Sequence, residues 1–361
     1  MPFGKISTPI GSKDYSESYV KGLNYLLSDD SNKAIETFSE LIKVNADTVE
    51  THVVLGNLLR SRGEVDRAIK IHQNLLARPD LSRKQRNMAI GELANDYLKA
   101  GLLDRAEKLF KEMIQLKPDD IGPYRSLLDL YITEKSWDEA IEYAQLLYDR
   151  GISGAGVILS HCHCELADSA MKTGNNKLVR ESLAKALNID NDCVRASLLL
   201  IKHHLNLKNP GAARKIFRQL TRSNPDYMNL YIGPAREIYS LGKESDAYQN
   251  FLQEQYQKNP STRMAIALIE HYASLNQIEK ARQFLSEVLK QSPSFEAFEF
   301  ALRFLKSDPA HLSETWESLS TFLLAMQNKK TEYICSLCGY ESHSIQWNCP
   351  SCRNWATMKP V

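Results

Sequence analysis

No run of about eighteen apolar residues occurs in the sequence, so no bilayer-crossing helix is expected from it. Neither sign of charge is in surplus. Lys and Arg number 45 against 44 Asp and Glu, a formal charge of +1, which leaves no global basic field to hold a nucleic acid. The sequence contains no HExxH, GxSxG or Walker motif and no paired catalytic carboxylates, so no catalytic residue is expected. The opening MPFGKISTPIGS lacks the apolar core of a secretory signal, and residues 1–14 read as a flexible lead-in outside the fold. Cysteine is sparse except at the end, where four of the seven fall within eighteen residues. Two C-x-x-C pairs that close together point to metal ligation in a reducing compartment rather than to a disulfide framework. What remains, 43% apolar and 25% charged residues, is ordinary for a folded soluble chain.

Internal periodicity decides the architecture. A small residue followed four positions later by an aromatic or aliphatic one recurs, as in NKAIETF, DRAEKLF, GAARKIF and SDAYQNF. Anchored on that residue, the series is Ala34, Ala68, Ala106, Ala140, Val179, Ala213, Ala247 and Ala281, with spacings of 34, 38, 34, 39, 34, 34 and 34. Thirty-four is the period of the tetratricopeptide repeat, a helix pair. Twelve residues before each anchor stands another small or apolar residue, from Gly22 and Gly56 to Ala235 and Ile269. Gly63, Gly101, Gly174 and Gly242 lie five before their anchors, where the first helix must reverse and a positive φ is needed. Pro118, Pro225 and Pro293 lie twelve after theirs, where a proline ends the second helix.

The two long spacings coincide with ARPDLSRKQRN and with the glycine-rich RGISGAG. The latter lacks the GK[ST] ending of a phosphate loop. A divergent ninth pair is expected from residues 295–306 and a second segment around Trp316 to Met326. The fold class is therefore all-α: a tetratricopeptide-repeat superhelix of about eight to nine helix pairs over residues 15–328, with a small C-terminal metal-binding domain over 329–361.

In that last segment Cys335-x2-Cys338, ten intervening residues and Cys349-x2-Cys352 form two knuckles, each pointing two thiolates at one point. One tetrathiolate-bound ion is expected, iron or zinc, since a soft tetrahedral sulfur set does not choose between them. YICSLCGY and WNCPSC resemble the knuckles of rubredoxin, although the loop between them is far shorter. The ion is read as structural, because a segment below ~40 residues usually needs a metal to fold. Tyr333, Tyr340, Ile345, Trp347 and Trp355 are too much apolar surface for a free module, so the knuckle is expected to dock on the repeats.

Other features invite chemistry less strongly. His161-Cys162-His163-Cys164-Glu165 looks like a metal cluster, but successive helical residues diverge by about 100°. Mixed core and surface positions are the expected reading. His203-His204 is a helix pair of the same kind, and Cys193 reads as an inert solitary thiol. Arg60, Arg62, Arg67 and Lys70 make a local basic patch, either a solvated helix face or a dock for an acidic partner. Asn57 and Asn95 stand where carboxylate-clamp repeats carry groove asparagines. The companion positions hold Val53 and Gly91 rather than basic residues, which disfavours a chaperone-tail clamp.

SYVKGLNYLLSDDSNKAIETF, HVVLGNLLRSRGEVDRAIKIHQNLL and the tail YICSLCGY…QWNCPSCRNW…MKP together resemble the lipopolysaccharide assembly protein B family of Gram-negative bacteria, from about Tyr15 onward. The resemblance implies a non-enzymatic adaptor at the cytoplasmic side of the inner membrane, whose family members begin with a membrane helix absent from this chain. It implies protein partners: a membrane AAA+ protease, the deacetylase that commits carbon to lipid A, and a membrane regulator. It carries the metal ligands over to Cys335, Cys338, Cys349 and Cys352. A peptide-binding co-chaperone and a rubredoxin-like redox protein are the alternatives.

Overall fold

The computed structural model describes residues 17–28, 30–44, 49–291, 294–306 and 331–361. The lead-in at 1–14 and the segment around Trp316 to Met326 lie outside the described residues. Contacts divide the chain into two compact units, Met1–Tyr143 and Ala144–Val361.

In the first unit the helices are α1 (Glu17–Leu27), α2 (Ser31–Val44), α3 (Val49–Ser61), α4 (Val65–Leu76), α5 (Arg83–Lys99), α6 (Leu103–Leu116) and α7 (Ile121–Glu134), and the unit boundary falls within α8 (Trp137–Asp149). The second unit continues with α9 (Ala155–Lys172), α10 (Asn176–Ile189), α11 (Val194–Asn206), α12 (Pro210–Ser223), α13 (Met228–Leu241), α14 (Ser245–Lys258), α15 (Thr262–Ser274), α16 (Ile278–Gln291) and α17 (Phe295–Lys306). It closes on a three-stranded sheet of β1 (Tyr333–Cys335), β2 (Glu341–Ser342) and β3 (Met358–Pro360), ordered β2-β1-β3 with both pairings antiparallel. This is the expected fold: tetratricopeptide-type helix pairs followed by a small metal knuckle.

Each anchor falls on the second helix of its pair, and seven of the eight are fully buried. The glycines twelve earlier face the bulky residue four past the anchor. An added Cβ on Gly56 would stand 2.3 Å from His72 Nε2, and one on Gly22 would stand 2.7 Å from the Phe38 ring. Small and bulky side chains thus interlock across the pair, which no single helix could achieve alone. The extra residues of the two long spacings lengthen helices. α5 starts early behind a capping box between Ser82 and Gln85, and α9 starts from Gly154 in the left-handed region.

The seventh repeat departs from the expected register. Ala247 is only partly buried, and Tyr248, one residue later, takes the core position at 4% exposure. The turn shifts with it. Gly63, Gly101 and Gly174 carry the reversing positive φ, as do Lys135, Lys208 and Asn276 in the equivalent places, but Gly242 does not. Lys243 takes it instead, at φ 54°. Identical spacing in sequence concealed a one-residue slip.

Candidate metal centre

The first knuckle hangs from the end of β1. Cys335 N–H donates to Tyr340 O at 2.8 Å and Gly339 N–H to Cys335 O at 2.9 Å, with Gly339 at φ 74°. The second repeats this turn: Cys349 N–H donates to Asn354 O at 2.9 Å and Arg353 N–H to Cys349 O at 2.8 Å, with Arg353 at φ 56°. The two turns bring four sulfurs within 4.8 Å of one another. Cys335 Sγ lies 3.7 Å from Cys352 Sγ, and Cys338 Sγ 3.7 Å from Cys349 Sγ. A tetrahedron of sulfurs about 2.3 Å from one ion has edges of about 3.8 Å, so the cage fits such an ion. It is far too open for a disulfide, whose sulfurs stand about 2.05 Å apart. Among the described residues no other group of three or more His, Cys, Asp or Glu is placed to hold a metal.

The sulfurs are not equivalent. Thr357 Oγ1 lies 3.2 Å from Cys335 Sγ. This contact, helped by the amides of Cys338 and Leu337, holds the Cys335 thiol down, at about 6. Hydrogen bonds from Asn354 lower Cys352 as well, whereas burial pushes Cys349 up to about 11. Part of the cage is thus prepared for ionisation, and a bound cation would complete it.

The knuckle docks on the second unit, as its aromatic content suggested. Trp355 stacks on His161 of α9, with centroids 5.0 Å apart at 28°, and Trp347 lies 5.9 Å from the same ring. Tyr333, Cys335, Cys349 and Met358 form a small core that Leu230 of α13 and Ile345 close. Lys359 Nζ donates to Tyr227 Oη at 2.9 Å over that ring, and Arg263 of α15 forks between Glu296 and Glu332. Tyr340 stays outside this contact, at 37% exposure.

Docking explains the motif around His161. His161, Cys162, His163 and Cys164 are all buried, not mixed between core and surface. α9 is covered on one side by its neighbouring repeat helices and on another by the tryptophans. The signal was present in GAGVILSHCHC, which carries no charged residue and so offers no solvent face. Cys193, too, is not solitary. It stands at the N-cap position of α11 in one core cluster with Cys164, and hydrogen bonding, chiefly with Cys164, brings its thiol down to about 7. His203 is buried with its ring 5.8 Å from that of His204.

Burial pushes His161 down to about 3, from an ordinary 6.5. An unfolded chain therefore binds a proton that the folded one refuses, and stability is complete above pH 6.5 and lost as pH falls from there towards 3. His161 alone should withdraw about 2 kcal/mol between pH 7 and pH 5. Unfolding midpoints of the chain and of its His161→Phe variant, followed by tryptophan emission across this range, check it. Parallel slopes would exclude the effect.

The structure turns one member of the basic patch, Arg60, away from the others. Arg60 points inward, with Nη1 2.7 Å from Asp96 Oδ1 and Nη2 2.7 Å from Glu92 Oε2, and Asp96 Oδ2 lies 2.5 Å from His72 Nδ1. Asp96 and His72 are fully buried, so Arg60 belongs to an internal network joining α3, α4 and α5. Arg62 meets Asn32 and Arg67 meets Glu64 at the surface, where Lys70 is also exposed.

Comparison with known proteins agrees with this geometry. The rubredoxin metal binding domain family matches residues 333–360, the tetratricopeptide repeat family residues 51–84, and the PPR repeat family residues 93–117. Lipopolysaccharide assembly protein B of Escherichia coli strain K12 is 30% identical over 349 residues, covering 96% of this chain and 90% of that protein. Its counterpart in Haemophilus influenzae is 32% identical, covering 97% and 91%. Among solved structures, the C-terminal part of a TPR repeat-containing protein from Cytophaga hutchinsonii aligns over 74% of this chain and 99% of its own, with a TM-score of 0.43 and 12% identity.

Proposed function

Because this chain belongs to the lipopolysaccharide assembly protein B family, we propose a specific form for the adaptor role in lipopolysaccharide assembly that it takes from that membership. It works without catalysis of its own, bringing a membrane AAA+ protease to the deacetylase that commits carbon to lipid A, at the cytoplasmic side of the inner membrane. Cys335, Cys338, Cys349 and Cys352 ligate one iron or zinc ion, and residues 329–361 act as the metal-binding domain. Arg62, Arg67 and Lys70 stay in the proposed partner patch. Arg60 leaves it, since its guanidinium is committed to Glu92 and Asp96.

The observation that carries this reading is the seat of the knuckle. The metal cage is packed on α9, α13 and α15, which fixes its outer surface beside those first helices. A protease and its substrate held on one chain meet at high effective concentration, and turnover rises without any chemical step supplied by the adaptor. Leu337 and Ile334, exposed at 66% and 37% on the first knuckle, offer apolar contact there.

Cells in which this chain has lost its last thirty residues should show a several-fold longer deacetylase half-life. Turnover of an unrelated soluble substrate of the same protease should not change. Equal slowing of both would point to a general protease defect, and an unchanged deacetylase half-life would remove the adaptor reading.

A further inference from the structure

The sixth repeat is electrically unlike the rest of the chain. From Cys193 to Pro225 the sequence holds seven Lys and Arg and not one Asp or Glu, in a protein whose formal charge is +1. Two of the seven are spent internally: Arg195 pairs with Glu165 at 3.0 Å, and Arg214 with Glu244 at 2.5 Å while lying over Tyr239. Lys202 stands apart on α11.

The other four form a stripe. Ala213, Phe217 and Leu220 face α12 inward, which turns Lys215, Arg218 and Arg222 outward together, all exposed. Lys208 extends the row at the preceding turn, giving a line of about 20 Å at 1.5 Å per residue. Neighbouring second helices each hold an ion pair along their own surface: Lys177 with Glu181 on α10, Lys258 with Glu254 on α14, Arg282 with Glu279 on α16. Among the described residues the outward face of α12 has no such pair. Its cations instead stand three and four residues apart, where like charges repel. A counter-charge from outside would relieve that repulsion.

We propose that the outward face of α12, with its preceding turn, is a peripheral contact for an anionic phospholipid surface. A protein partner would want aromatic or aliphatic anchors in a buried centre. The other exposed positions from Lys208 to Ser223 are Asn209, Gly211, Gln219 and Ser223, none of them aromatic or aliphatic. Flexible cationic stems without an apolar centre suit a diffuse anionic surface, where each cation adds independently. The one apolar group at the row's end, Leu207, is 47% exposed beside Lys208 and would enter the boundary between headgroups and acyl chains. The proposal goes beyond the adaptor reading, and its failure leaves that reading standing, because deacetylase half-life is measured without reference to lipid.

The test is co-sedimentation of the full 361-residue chain with phosphatidylcholine vesicles, with and without phosphatidylglycerol. Binding is expected only with the anionic lipid and should weaken as salt rises. The triple variant Lys215→Gln, Arg218→Gln, Arg222→Gln should lose on the order of a hundredfold in partitioning, from about fivefold per cation. A control triple, Lys177→Gln, Lys258→Gln, Lys290→Gln, removes the same charge from α10, α14 and α16 and should keep most of the binding. Circular dichroism of both triples shows that each is folded. Equal loss in the two triples, equal binding to neutral vesicles, or retention of an acidic protein but not of vesicles would each overturn the proposal.

Discussion

Replacing Cys349 by serine, or stripping the ion with a strong chelator, is expected to unfold the knuckle while the repeats stay helical. A structural zinc contributes roughly 10–16 kcal/mol in small domains, as much as the whole stability of many proteins. The segment from Thr331 has three short strands, and its core of Tyr333, Cys335, Cys349 and Met358 is half cysteine. Without the ion that core loses its centre. Trp347 and Trp355, two of the four tryptophans, should leave His161 and shift their emission to the red. Far-UV circular dichroism should change little, because each repeat rests mainly on its neighbours. Metal content near one ion per chain in the variant, or collapse of the helical signal, would contradict this.

Asp96→Ala should be the most damaging single change in the first unit, at roughly 3–5 kcal/mol. The carboxylate is fully buried and bridges the Arg60 guanidinium and the His72 ring. Its removal strands a cation and a ring nitrogen away from water, with Glu92 as the remaining acidic partner of Arg60. Asp96→Ala combined with Arg60→Leu should recover part of the loss, since no cation is then stranded and the Glu92 carboxylate left behind is 22% exposed to water. Urea unfolding of the full chain with first- and second-unit probes separates the effect: only the first transition should move. A loss below about 1 kcal/mol would show that the network is incidental to stability.

The fold was legible because tetratricopeptide packing leaves a positional record: a small residue at 34-residue intervals, a partner twelve before it, a reversal between. Cys335, Cys338, Cys349 and Cys352 were legible for a related reason, since C-x-x-C turns are local geometry. What escaped was non-local. Arg60 reads as a surface cation until Asp96, thirty-six residues away, is seen beside it. His161 reads as an ordinary helical histidine until residues near the other end of the chain cover it. Ala247 and Tyr248 show a subtler limit: the interval was regular, yet burial chose the tyrosine because the turn had slipped by one. The basic stripe of α12 could have been counted in the sequence. Whether its cations shared one face depended on which side of the helix was buried.

The seat of the knuckle also has a consequence in time. Ribosomes deliver a chain from its first residue, and the 188 residues from His161 to Cys349 take about 10–40 s to follow at bacterial rates of ~5–20 residues per second. Throughout that interval His161, and from their synthesis Tyr227 and Leu230, lack the knuckle that covers them, and it arrives only when four thiolates have also found an ion. A cell short of that ion would accumulate chains with an open apolar face, visible to chaperones and proteases. The abundance of the finished protein would then track intracellular metal supply.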